Sequence, residues 1–217
     1  MGRTVLLNSA SGGALTSSGL SLDDVSTTFD VPKLLHTKTV STGDTFIDIP
    51  NLDFTTYERI YVKMQNFGCT ATTYIEFGGM SGSARWTSHV FDYGGYQCNG
   101  SNRSQHVAST TKCYTNAQST YTHGSVNEYS RSVVEWNFFP PLPTSTAHEI
   151  TGNFYYMPGT INSHQTYTCW GGFTFQKQSG DTHADGIFFG LSQGTFKKHA
   201  HADFLTLVYG YKRRAAA

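Results

Sequence analysis

An all-β, antiparallel sandwich is the fold class this sequence predicts, and three observations carry the prediction. Aromatics make up 14% of the 217 residues, with 13 Tyr and 15 Phe, and aromatic and β-branched side chains suit a pleated, half-buried surface. No long stretch is rich in good helix formers. Seven or eight segments have strand character, which makes a sandwich or a barrel. The length is large for one domain but ordinary for a single all-β unit. The organisation expected is an N-terminal arm over 1–35 and a β-sandwich domain over 36–214, with long loops at about 78–130.

The arm is rich in Ser, Gly, Thr and Leu, and neither helical nor strand periodicity is sustained in it. Its apolar positions, Leu6, Leu7, Leu15, Leu20 and Leu22, are expected to anchor it by ordering against a neighbouring subunit. The body opens after Pro32 with Thr37 to Ile49. Tyr57 to Phe67 then places Ile60, Val62 and Met64 on one face, a period of two that means a strand, and Thr70 to Phe77 is its expected hairpin partner. Gly78 to Ser130 is dense in Gly, Ser, Thr, Asn and Tyr, with turn signals at Gly78-Gly79, Gly94-Gly95 and Asn99-Gly100, so loops with two short strands are expected there.

Regular patterning resumes at Arg131 to Phe139, closed by Pro140, Pro141 and Pro143, which cannot continue a central strand. Ala147 to Met157 sets Ile150, Phe154 and Tyr156 on one face. Thr166 to Gln176 alternates Tyr167, Cys169, Gly171, Phe173 and Phe175. Gly186 to Ser192 and Asp203 to Tyr211 supply two more strands.

Fifteen basic and fifteen acidic residues give a formal net charge of zero, without the electrostatic footprint of a nucleic-acid or anionic-lipid binder. No nucleic-acid partner is expected. Val5, Leu6 and Leu7 form too short an apolar run for a secretory or membrane-spanning segment, so a soluble, unexported protein without membrane insertion is expected. Cys69, Cys98, Cys113 and Cys169 contain no C-x-x-C pair. Reduced thiols are the expectation, with a Cys98–Cys113 bridge as the alternative.

The order of segments resembles the jelly-roll modules of tailed-bacteriophage virion proteins of the tail-fibre, receptor-binding and head-decoration group. The residues that carry it are Phe46-Ile-Asp-Ile-Pro-Asn-Leu-Asp-Phe-Thr-Thr-Tyr57, Tyr61-Val-Lys-Met-Gln-Asn66, the "I-x-G" strand Ala147-His-Glu-Ile-Thr-Gly-Asn-Phe154, and the ending Leu205-Thr-Leu-Val-Tyr-Gly-Tyr-Lys212, similar to "L-x-L-Y-G-x-K" with Val208 inserted. It covers roughly residues 37–212, and the order of these short motifs matters more than any one of them. The resemblance implies a jelly-roll-like sandwich, a homotrimer on the virion exterior assembled in the host cytoplasm, and contact with other virion proteins through the arm. It implies a non-enzymatic tail-fibre or spike component that contacts host-surface glycan. Head decoration that stabilises the capsid is the alternative within that class, and a carbohydrate-binding module or cupin-like metalloenzyme the alternative outside it.

For binding, Trp86, Tyr93, Tyr96, Tyr114 and Tyr121 stand among Ser, Gly, Thr and Asn, the mixture antibody paratopes use because Tyr gives amphipathic area at low entropic cost. These form the candidate ligand or partner surface. Packing within the sandwich or between subunits is the competing reading. His199, His201 and Asp203 alternate and are weak metal candidates, but the Glu that a cupin places a few residues after H-x-H is missing. No nucleophile elbow, Walker lysine or dinucleotide fingerprint occurs. Neither catalytic residue nor cofactor is expected.

Overall fold

The computed structural model describes residues 32–70, 75–87, 89–98, 103–110, 113–114, 132–141, 149–157, 168–177, 184–198 and 202–213; for 89–98, 103–110 and 113–114 it describes the backbone alone. In chain order the strands are β1 (Lys33–Thr39), β2 (Phe46–Ile49), β3 (Tyr57–Cys69), β4 (Ile75–Ser81), β5 (Ala84–Arg85), β6 (His89–Cys98), β7 (Arg103–Thr110), β8 (Cys113–Tyr114), β9 (Ser132–Phe139), β10 (Ile150–Met157), β11 (Thr168–Lys177), β12 (Gly186–Leu191), β13 (Phe196–Lys198) and β14 (Leu205–Lys212). They form two antiparallel sheets, and no helix occurs among the described residues. The fold is the antiparallel β-sandwich the composition predicts.

The larger sheet runs β1-β14-β3-β9-β10-β11-β6-β7, with β13 also on β3; the smaller runs β2-β12-β4-β5, with β8 also on β4. Alternation decides which side faces the core. Ile60, Val62 and Met64 of β3 and Val134, Trp136 and Phe138 of β9 are fully buried, and Phe154, Phe173 and Phe175 continue that inner face on β10 and β11. The smaller sheet meets it through Phe77 of β4, whose ring lies 6.2 Å from Trp136, 6.1 Å from Phe138 and 4.8 Å from Phe173. Phe189 of β12 closes on Trp136 at 4.4 Å. Tilted and edge-on ring pairs of this kind add to the burial of their area.

Three expectations are corrected. Thr37 to Ile49 is two strands in different sheets, because Gly43 takes φ 104° and Asp44 accepts the Ser41 N–H at 3.1 Å, so the chain turns from β1 into β2. Thr70 to Phe77 is no hairpin partner of β3. It contributes β4 to the opposite sheet, where burial of every residue from Ile75 to Met80 fits a strand covered on both faces. The third correction concerns 78–130. His89–Cys98 and Arg103–Thr110 are strands of ten and eight residues at the edge of the larger sheet. The Gly94-Gly95 pair read as a turn lies mid-strand, with Gly94 opposite Gly172 and Gly95 opposite Gly171.

Asn66, at φ 59°, makes a bulge in β3. Before it β3 pairs with β14, and after it with β13. An extra residue in the left-handed region bends the strand there, and the Asn66 amide holds the bend by donating to the Asp203 carbonyl at 3.2 Å.

Candidate binding surface

Alternation that sends Ile60, Phe154 and Phe173 inward sends their neighbours to the outer face of the larger sheet. No second layer of described strands covers that face. On β14 and β3 its side chains are tied to one another. The Arg59 guanidinium sits 3.4 Å over the Tyr211 ring, and the Tyr61 and Tyr209 rings lie 6.0 Å apart. Lys63 pairs with Glu135 at 3.4 Å. Burial, aided by the Tyr61 hydroxyl's bond to Glu135, raises the Tyr61 phenol above its ordinary range.

Further along, the surface changes character. Asn137 of β9 donates to the side-chain oxygen of Asn153 of β10 at 2.9 Å. One step along the strands, Tyr155 stands opposite Trp170 in register, and they are 43% and 42% exposed. Phe139, 39% exposed, lies on the other side of the Asn137 row. Gly172 is the β11 partner of Asn153 and the backbone partner of Gly94. The result is a strip with aromatic faces and an amide pair, edged by the Lys63–Glu135 ion pair and by Arg59 in register beyond Phe139. Such a strip can stack on an apolar ring face while exchanging hydrogen bonds at its rim.

Comparison with family models, curated proteins and solved structures finds no match to this chain. The site therefore stands on its own geometry.

The sequence-derived candidates divide. Trp86 is not on the surface: it is 5% exposed, its indole N–H donates to the Ser81 hydroxyl at 2.7 Å, and its ring packs over Gly79 and edge-on to Phe175. It fills one end of the core, which is the packing reading. Tyr93 and Tyr96 both lie on β6, but an odd spacing separates them in register: Tyr93 pairs with buried Phe173, and Tyr96 with exposed Trp170. Tyr114 is on β8 opposite Glu76. Tyr121 lies outside the described residues, as do the arm positions Leu6, Leu7, Leu15, Leu20 and Leu22.

Of the metal candidates, His199 and His201 also lie outside the described residues, while the Asp203 carboxylate pairs with Lys198 at 2.6 Å. Among the described residues no group of three His, Cys, Asp or Glu is placed to hold a metal. Cys69 is buried, and the desolvation pushes its thiol up to about 12, which leaves almost no thiolate at neutral pH.

Sequence reasoning missed Tyr155, Trp170, Asn137, Asn153 and Gly172. The signal was there: once Phe154, Tyr156, Phe173 and Phe175 are assigned to the core face, period two puts Tyr155, Trp170 and Gly172 on the other side.

Proposed function

We propose that the chain is a non-enzymatic, exterior jelly-roll module of a tailed-phage virion, a tail-fibre or spike component that presents the outer face of its larger sheet to the host surface. The observation that supports the jelly-roll part of this reading is the strand order. Setting aside β6, β7, β10, β11 and β13 of the larger sheet and β8 of the smaller leaves β1-β14-β3-β9 facing β2-β12-β4-β5, so consecutive strands cross repeatedly from one sheet to the other. Such crossing supports the jelly-roll reading, in which two Greek keys interleave.

Fold alone does not fix a role, and the phage assignment rests on the ordered motifs over residues 37–212. A tail role is favoured over capsid decoration by the long strands added to the larger sheet, two of which, β10 and β11, carry the exposed Tyr155 and Trp170. The N-terminal arm and homotrimer formation belong to the same proposal. The test is a cryo-EM reconstruction of the particle that carries this chain. Density on the tail with the β10–β11 face outward is the expected result; density on the capsid shell with that face against the lattice makes it a decoration protein, and absence from any particle overturns the virion reading.

A further inference from the structure

We propose that Tyr155, Trp170, Asn137, Asn153 and Gly172 form a binding site for an uncharged oligosaccharide, a subsite that gives the attachment reading above its ligand class and rests on that reading.

Three independent features of the strip converge on this ligand. The first is exposure of two large aromatic side chains in register, Tyr155 and Trp170, each more than two-fifths accessible. Their ring faces carry partial negative charge, and the C–H-rich face of a pyranose is the complementary partner that also needs its hydroxyls left free at the rim. The second is the amide pair. With the Asn137–Asn153 bond made at 2.9 Å, the Asn137 oxygen and the Asn153 nitrogen keep hydrogen-bonding capacity that no described residue uses. A donor and an acceptor side by side suit neighbouring hydroxyls, each of which both gives and accepts a hydrogen bond.

The third feature is the glycine floor. At Gly79, Gly152, Gly186, Gly190 and Gly210 an added Cβ would collide with a neighbouring ring, backbone or side chain, so packing within the chain requires glycine there. At Gly172 the same Cβ would meet only the Gly152 carbonyl oxygen, at an ordinary 3.6 Å, and its backbone is not in the left-handed region. Among the described residues nothing asks for glycine at this position. What its missing side chain does create is clearance beside Trp170 and Asn153, extended across the ladder by Gly94. From the Tyr155–Trp170 row to the row of Phe139, a further aromatic on the same face, is four residues of strand rise, about 13 Å, room for about two sugar units.

Charge selects the neutral class. The described charged groups beside Tyr155, Lys63 and Glu135, pair with each other, and Arg59, one strand beyond Phe139, is stacked over the Tyr211 ring. An acidic glycan would find no uncompensated described cation beside Trp170.

The test probes the full chain on an array of neutral and acidic oligosaccharides, beside the Trp170→Ala and Gly172→Val variants. Retention of neutral oligosaccharides is expected, falling at least tenfold in both variants. Gly172→Val is the decisive one, because a β-branched residue suits a strand and its Cβ has space: its thermal midpoint stays level or rises while binding goes. Binding that survives both variants, or retention of acidic glycans alone, overturns the site. So does an absence of retention with a sedimenting oligomer that Trp170→Ala disperses, which would give the face to a second copy of the chain, and so does no retention without one. None of these outcomes decides where the chain sits on a particle, so failure of the site and failure of the virion reading are distinguishable.

Discussion

Arg85 closes on Asp48 with both arms of its fork, Nε to Oδ1 and the terminal nitrogen to Oδ2, each at 2.6 Å. The pair joins β5 to β2 across the outer side of the smaller sheet, over the intervening β4 and β12. The guanidinium also lies 3.8 Å over the Phe46 ring, and Phe46 in turn meets Phe188 edge-on. Phe188 and Met80, outward-facing residues of β12 and β4, are consequently buried. Arg85→Lys keeps the charge but loses the planar fork and the stack. For a pair about one-third exposed, a loss of about 1 kcal/mol is expected. A double-mutant cycle with Asp48→Ala, read by denaturant unfolding, should return coupling of that size; purely additive losses would mean the geometry contributes nothing.

How much of this was legible beforehand follows from what each residue faces. Ile60, Val62 and Met64 alternate with polar residues, so β3 announced itself, and the sandwich with it. β6 did not, because Gly94-Gly95 carries a turn signature whose meaning changes only when Gly171-Gly172 lies opposite, a long-range fact. Trp86 among Gly and Ser looked like a surface residue for the same reason: Phe175, whose ring meets it edge-on, comes from a distant strand. Many residues of the motifs behind the family resemblance are packing residues: Ile47, Ile49, Val62, Met64, Ile150, Phe154 and Val208 are buried. Tyr57 lies across Gly210, where a Cβ would stand 2.5 Å from the ring, so the ends of two motifs interlock. They speak mainly to the fold; of the strip on the outer face they contain Asn153 alone.

Gly152 and Gly172 are neighbours across the β10–β11 ladder with opposite tolerances. A Cβ on Gly152 would overlap the Asn137 carbonyl oxygen and the Phe173 ring, and neither a backbone oxygen nor a ring at the centre of the core yields cheaply. Gly152→Ala should cost about 3 kcal/mol or prevent folding. Gly172→Ala should be neutral or stabilise by up to about 1 kcal/mol through the unfolded chain. Equal effects of the two in thermal unfolding would contradict the packing described for β10.

Thr206 occupies a fully buried inward position of β14, and its hydroxyl has no hydrogen-bond partner. Its neighbours along the inner face are the buried Phe204 and Val208. Valine has the same shape without the group that must be desolvated, so Thr206→Val should raise stability by about 1 kcal/mol. Thr206→Ser, which keeps the hydroxyl and removes a methyl, should lower it by a similar amount. Denaturation midpoints of the two variants on either side of the parent are the expected pattern.

Asp53 caps the turn between β2 and β3. Its Oδ1 accepts the Thr55 hydroxyl at 2.6 Å and the backbone N–H groups of Thr55 and Thr56 at 3.0 Å each. The hydrogen bond from the Thr55 side chain leads the effects that hold the carboxyl down at about 2, against an ordinary 3.8. A carboxylate whose folded-state pKa is depressed binds protons more readily in the unfolded chain. Its contribution is therefore fully present above the unfolded value and is lost as pH falls from about 4 toward 2. Asp53→Asn keeps an oxygen acceptor but removes the titration, so the variant's thermal midpoint should fall less steeply than the parent's across that window. Parallel acid limbs would show that this turn does not couple to folding and that other carboxylates govern the acid transition.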